Sequence, residues 1–224
     1  MTPFEHSTQV INTVREKTDR VILLYSTGKD SLVLLDLLAK KFKEVICVYM
    51  YMVKDLEHID KYLRFAENRY KNVRVVQKPH WRLTHIHSYG VYCKPQKVKI
   101  LRLRDIVEIV KIEFGCQYVF IGEKKVDSFH RRGRIAAYDN CISKVGLVCA
   151  LAEWKDTHVY KYIERNKLPL PIRYSSRRTN GVRFDLDVYL FLRENYPNDL
   201  KKILEAYPLS EKILFDYDQK NKNS

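Results

Sequence analysis

No stretch of this 224-residue chain approaches the ~20 consecutive apolar residues that a membrane-spanning helix needs. Met1-Thr-Pro-Phe-Glu-His6 has neither the basic start nor the apolar centre of a secretory leader. There is no C-x-x-C pair, and no cysteine follows Cys149. The five cysteines, Cys47, Cys93, Cys116, Cys141 and Cys149, are odd in number and widely spaced. That argues against a disulfide framework and a structural zinc site, and points to a reducing compartment, the cytoplasm. Two familiar phosphate-binding patterns are missing, G-x-x-x-x-G-K-[ST] and G-x-G-x-x-G. Acidic residues are also in deficit, with 27 Asp and Glu against 41 Lys and Arg and a net charge of +14. An excess of that size favours a polyanionic partner, either a nucleotide or a nucleic acid. The plainer alternative is a basic surface that keeps a small protein soluble.

What is present is organised around Val21 to Leu38. Val21-Ile-Leu-Leu-Tyr25 is a short continuous apolar run, as in a strand buried on both faces, and from Leu32 the leucines recur at helical spacing. Between them lies Ser26-Thr27-Gly28-Lys29-Asp30-Ser31. Such a loop at a helix N-terminus offers unpaired N–H groups and the positive end of the helix dipole to an anion. Gly28 allows close backbone approach, Ser26, Thr27 and Ser31 add hydroxyls, and Lys29 adds charge. The structural alternative is a capped strand–helix turn with Ser26 or Thr27 as the N-cap.

Along the rest of the chain, the periodicity predicts a first helix within 1–20, strands over 45–50, 73–76 and 118–121, and helices over 56–70 and 97–114. Strands alternating with helices predict an α/β fold, a Rossmann-like parallel sheet sandwiched by helices, with ligands at the carboxyl ends of the strands. Loop 26–31, Tyr51-Met52, Pro79-His80 and Gly122-Glu123 all fall at such ends. Residues 77–97 lack periodicity and are too aromatic for disorder, so the His80–Cys93 segment is a candidate for substrate recognition. His85 and His87, two apart, would share a strand face and with Cys93 invite a metal site, but a fourth ligand is missing. After residue 171 come Arg173, Arg177, Arg178 and Arg183, then helices over 185–195, 198–206 and 209–217. The expected organisation is an α/β domain over 1–171, a helical extension over 172–218 and a disordered lysine-rich tail over 219–224.

Ser26, Gly28, Asp30 and Ser31 fill every fixed position of S-x-G-x-D-S/T, and the loop resembles the pyrophosphate-binding loop of the PP-loop family, the adenine-nucleotide α-hydrolase superfamily. Gly122-Glu-Lys-Lys-Val-Asp127-Ser128-Phe-His-Arg131 is similar to the G-x-R-x-x-[DE]-S-x-x-R stretch of the phosphoadenosine phosphosulfate (PAPS) reductase group, with Lys124 in place of arginine. Leu151 to Pro171 resembles that group's tryptophan-containing segment, with Asp156 or Thr157 as helix cap and Pro169 as exit. The group's nucleophilic C-terminal cysteine has no counterpart here.

The resemblance implies an adenine nucleotide, ATP or PAPS, with Mg²⁺. It places Ser26, Thr27, Gly28, Lys29, Asp30 and Ser31 on the phosphates, Asp30 as a direct or water-mediated metal contact, and Tyr49, Met50 and Tyr51, after Val48, beside the adenine. Gly122, Asp127 and Ser128 complete the nucleotide site, and Lys29, Asp30, Lys124, Arg131 and Arg132 are the catalytic candidates. Three functions stand open: an ATP pyrophosphatase that adenylates an acceptor, a PAPS reductase, and a non-catalytic nucleotide-binding subunit. The arginines, Arg134 included, would form a basic surface for a larger anion such as nucleic acid or an anionic acceptor; a partner subunit or a homo-oligomer also fits.

Overall fold

The computed structural model describes residues 1–175 and 183–222. Helix α1 (Pro3–Arg15) starts at a capping box between Thr2 and Glu5 with proline in the first turn, and strand β1 (Arg20–Leu24) follows. Then come α2 (Lys29–Ala39), β2 (Glu44–Tyr51), α3 (Glu57–Arg69) and β3 (Val73–Pro79). Helices α4 (Arg82–Tyr89) and α5 (Leu103–Phe114) precede β4 (Val119–Ile121). Helix α6 (Phe129–Ala136), the two-residue β5 (Leu147–Val148) and α7 (Asp156–Arg165) complete the α/β unit. Helices α8 (Leu186–Asn195), α9 (Pro197–Ala206) and α10 (Lys212–Lys222) follow.

The five strands form one sheet, all parallel, in the order β3-β2-β1-β4-β5. Side chains of a strand alternate between faces, and here both faces are covered. Val21, Leu23 and Tyr25 join the core under α1, α2, α3 and α7, while Ile22 and Leu24 join a second core under α5 with Ile106, Val107 and Val110. That double burial is why β1 and β2 read as unbroken apolar runs. Asp36, buried within α2, accepts hydrogen bonds from Lys40 (2.5 Å), Tyr70 (2.6 Å) and Tyr162 (2.6 Å), and so ties α2 to α3 and α7.

Several local expectations differ from the structure. The N-cap of α2 is Gly28 rather than Ser26 or Thr27, and that of α7 is Lys155 rather than Asp156 or Thr157. Segment 77–97 contains α4, which ends at Gly90 in the left-handed region (φ 67°). His85 and His87 therefore lie on a helix, about 200° apart around its axis, and not on one strand face. Among the described residues no group of three His, Cys, Asp or Glu could hold a metal ion. Residues 97–102 are irregular, and α5 begins only at Leu103. Helix α10 continues through Lys222, beyond the 217 at which the last helix was expected to end, and 223–224 lie outside the described residues. No helix among the described residues is long and apolar enough to cross a membrane.

Candidate functional site

The strand order reverses at β1: β2 and β3 lie on one side, β4 and β5 on the other. In an open parallel sheet the crevice outside the carboxyl ends of the diverging strands is the place for a ligand. The loops leaving β1 and β4 meet there. A Cβ built on Gly122 would lie 3.1 Å from the carbonyl carbon and Cβ of Asp30 and from the Ser31 nitrogen. Glycine at 122 is what allows the two loops to approach so closely.

Between β1 and α2 the backbone turns through Thr27, at φ 58°, a region β-branched residues rarely enter. Gly28 then caps α2 in extended conformation with no side-chain cap bond. The first amides of α2 are left without a side-chain acceptor, at the positive end of the helix dipole. The Ser31 hydroxyl donates to the Gly28 carbonyl (2.9 Å) and lies 3.2 Å from Ser26 Oγ, which holds the loop against the helix. All six residues from Ser26 to Ser31 line one cleft of about 1060 Å³, above the roughly 300–1,000 Å³ usual for a small-molecule site. Leu24, Tyr49, Met50, Met52, His80, Gly122 and Glu123 line it too, so segments from β1, β2, β3 and β4 come together.

Behind the loop lies a network of charges. Lys124 is fully buried, and its Nζ contacts Asp30 (2.7 Å), Asp127 (3.0 Å) and Asp156 (3.2 Å). Lys29 contacts Asp30 (3.1 Å) and Asp156 (3.4 Å). Arg131 pairs with Asp127 (2.9 Å) and Glu123 (3.2 Å), and Arg134 with Glu123. Four cations thus meet four carboxylates. Burial works against the charge on Lys124, but the Asp30 and Asp127 carboxylates raise its pKa above the ordinary lysine value. Burial likewise opposes ionisation of Asp156, yet Lys124 and Lys29 hold it below the ordinary carboxylate value.

This network moves several sequence expectations. Lys124, a catalytic candidate, is enclosed behind Asp30 and positions that residue. Asp30 has one oxygen on Lys124 and the other on Lys29, so it fits poorly as a direct Mg²⁺ ligand. A magnesium ion, which usually keeps waters and phosphate oxygens around one or two carboxylates, finds no free carboxylate at Asp30. Arg131 and Asp127 line the cleft, but Arg132 is exposed away from it, and Ser128 caps α6 by accepting the Arg131 amide (3.1 Å). Tyr51 turns into the main core, while its carbonyl accepts the His80 amide (2.8 Å). Arg134 is turned onto Glu123, Arg173 is exposed outside the cleft, and Arg177 and Arg178 lie outside the described residues. Of the expected arginine surface, Arg131 and Arg134 are therefore neutralised by pairing.

The start of the His80–Cys93 segment enters the cleft with His80, Trp81 and Arg82, none of which had been given a role of its own from the sequence. His80 and Trp81 stack with centroids 5.4 Å apart, and the Arg82 guanidinium sits 5.4 Å over the indole. Burial, then the Arg82 charge, pushes the His80 pKa down to about 4. The ring is neutral at pH 7, and its Nδ1 accepts the Arg82 amide (3.0 Å), so the proton is on Nε2 as a donor. Arg183 and Phe184, just before α8, close the outer wall. The signal was the run His80-Trp81-Arg82 directly after β3, an aromatic and cationic cluster at a strand end.

The C-terminal helices are fastened to this unit by a buried triad. Asp199 on α9 accepts the backbone amides of Glu57 (2.8 Å) and His58 (3.0 Å) and contacts His58 Nδ1 (2.5 Å). The Tyr174 hydroxyl is 2.9 Å from His58 Nε2. Burial lowers the His58 pKa; the neutral ring then donates from Nδ1 to Asp199 and accepts from Tyr174.

The sheet order and the uncapped helix N-terminus at its switch point are those of a Rossmann-like α/β fold, in keeping with the PP-loop, adenine-nucleotide α-hydrolase superfamily. More narrowly, the chain belongs to the phosphoadenosine phosphosulfate reductase domain family, whose model matches residues 20–175. Among solved structures, a phosphate complex of phosphoadenylyl-sulfate (PAPS) reductase from Candida auris is similar at 14% identity, covering 76% of this chain and 82% of that one with a TM-score of 0.46. A search of curated proteins gave no match.

Proposed function

We propose that the chain binds an adenine nucleotide with its phosphates at the α2 N-terminus and cleaves ATP between the α and β phosphates. An acceptor oxygen attacks the α-phosphorus, the bond to the bridging oxygen breaks, and pyrophosphate leaves with the electron pair. The supporting observation is a cleft that offers unpaired helix amides to phosphates yet has no cysteine among its lining residues. The amides of residues 29–31, the hydroxyls of Ser26, Thr27 and Ser31, and Lys29 would hold the β and γ phosphates. Lys124 and Asp127 would act through Asp30 and Arg131 as positioning residues. Tyr49 and Met50 would line the slot for the base. The His80 Nε2–H would donate into the cleft at any pH well above 4. Mg²⁺, where it accompanies ATP, would be carried by phosphate oxygens and water, since Asp30 is already engaged by two lysines.

The competing reading within the family, thiol-dependent reduction of PAPS to sulfite, needs an accessible thiolate. Cys47, Cys116, Cys141 and Cys149 are buried, and burial raises each thiol pKa, that of Cys149 to about 12. Cys93 is half-buried on the α4–α5 connection, with Sγ 3.8 Å from the Ile86 carbonyl, and does not line the cleft. With purified protein, pyrophosphate release from ATP and tight ATP binding are expected. Sulfite release from PAPS with a dithiol reductant should stay at background in wild type and in Cys93→Ser. Sulfite production that disappears in Cys93→Ser would reverse the order of the two readings.

A further inference from the structure

We infer that residues 94–104 form a docking strap for single-stranded nucleic acid, laid so that a base reaches the Trp81 side of the cleft. As an assignment of the acceptor class, this rests on the adenylyl-transfer reading; as a binding surface it stands on its own observations. The first is charge. Lys94, Lys97, Lys99, Arg102 and Arg104 fall within eleven residues, all exposed, and none has a carboxylate partner among the described residues. The cleft arginines Arg131 and Arg134, by contrast, are held by Glu123 and Asp127. A row of cations without carboxylate partners among the described residues therefore lies on the strap, in addition to Arg82 in the cleft wall itself.

The second observation is how the strap is fixed. Exposure alternates from Lys97 to Lys99, with Val98 and Ile100 half-buried, and Leu101 and Leu103 pack on the core beneath α5. The aliphatic residues are turned inward and the cations outward. The Leu101 amide donates to Thr84 Oγ1 (3.0 Å), His85 Nε2 lies 3.3 Å from the Leu101 carbonyl, and the Gln96 amide donates to the His87 carbonyl (2.7 Å). The strap is thus bound across α4. The same helix turns His85 and Ile86 to the cleft, next to the stacked His80 and Trp81.

The third observation is the aromatic surface beside the row of charges. Trp81 and His85 meet edge-on (5.8 Å), and the Tyr89 ring, 6.3 Å from His85, is 68% exposed. Cations that follow a phosphate backbone, with aromatic faces for successive bases, are what a single strand needs. A duplex would offer phosphates but no free π-faces. An anionic membrane would also meet the cations, but the strap's own aliphatic side chains face the protein and have nothing to insert. The cleft, at about 1060 Å³, has room for a base beyond the nucleotide.

The test is fluorescence anisotropy of labelled oligothymidylate and oligouridylate against salt, with calorimetric ATP titration of the same preparations. Wild type should bind at low salt with a steep salt dependence. Lys97→Ala/Lys99→Ala, away from the α5 cap, should weaken binding at least about tenfold and reduce the log–log slope by about 1.4, at ~0.7 per phosphate contact on a single strand. Its ATP affinity and melting temperature should match wild type. Trp81→Leu should cost at least about fivefold in oligonucleotide affinity, from lost stacking. No binding at low salt, or equal binding by the lysine double variant, would overturn the strap. Binding to phosphatidylserine vesicles through the same lysines, with no competition from oligonucleotide, would assign it to a lipid surface instead. An unchanged affinity in Trp81→Leu would refute the placement of a base in the cleft. Failure of ATP binding in wild type with oligonucleotide binding intact would count against the proposed reaction and not against the strap.

Discussion

Lys124→Met is expected to lower the melting temperature by about 6–12 °C and to weaken nucleotide binding. The substitution keeps the volume but leaves Asp30, Asp127 and Asp156 facing one another without the ammonium they share. Removing one partner of a buried ion pair costs about 3–5 kcal/mol. The lower end applies because Asp156 is 61% exposed and Lys29 still reaches Asp30 and Asp156. For a chain of this size each kcal/mol corresponds to roughly 2–4 °C. The pH dependence gives a second reading of the same contacts. A lysine with raised pKa contributes stability that is present below its unfolded value and lost as pH rises through the folded one. A depressed aspartate such as Asp156 contributes stability that is lost as pH falls through its folded pKa. The deficit of Lys124→Met should therefore shrink towards acid pH, where the stranded carboxylates protonate. A deficit constant from pH 4 to 8 by thermal denaturation would mean that the three carboxylates are not held by Lys124.

Asp199→Ala is expected to cost about 3 kcal/mol and to loosen the C-terminal helices from the sheet. The substitution removes the acceptor of the Glu57 and His58 amides at the start of α3 and the partner of a His58 ring that is fully buried. Asp199 is held below the ordinary carboxylate value despite burial, chiefly by the His58 amide and ring and the Glu57 amide. Hydrogen exchange should accelerate in the first turn of α3 and through α9, and protease cleavage should appear ahead of α8. Asp199→Asn, which keeps an acceptor but not the charge, should fall between. Exchange unchanged in α3 while α9 alone frays would show that the triad does not couple the two elements.

How much of this was legible in the sequence depended on where each signal was carried. The β1–loop–α2 unit was legible because an apolar run, a short polar motif and a leucine-rich helix follow one another without interruption. Helix α4 was not. Only Leu83 on it is buried, so its apolar residues leave no 3.6-residue period, and its histidines and tyrosine read as loop. Two-residue β5 is too short to carry a strand signal, although it pairs with β4 and completes the sheet. Net charge was legible, but its placement was not. Lys124 looks like any lysine in a basic run, and only the fold brings Asp30, Asp127 and Asp156 from three segments to enclose it. The same holds for Arg134, whose partner Glu123 lies eleven residues before it. The cations of residues 97–104, by contrast, sat in a stretch that read as the start of a helix.

The most direct test is titration of isotopically labelled protein with ATP, pyrophosphate and adenosine, followed by backbone amide NMR. With phosphates at the α2 N-terminus, the amides of Gly28, Lys29, Asp30 and Ser31 should shift most with ATP and again with pyrophosphate alone. Adenosine should instead perturb Tyr49 and Met50 and leave the loop nearly unmoved. Shifts confined to the strap or scattered over exposed lysines, with Gly28 to Ser31 unaffected by either phosphate ligand, would contradict the assignment.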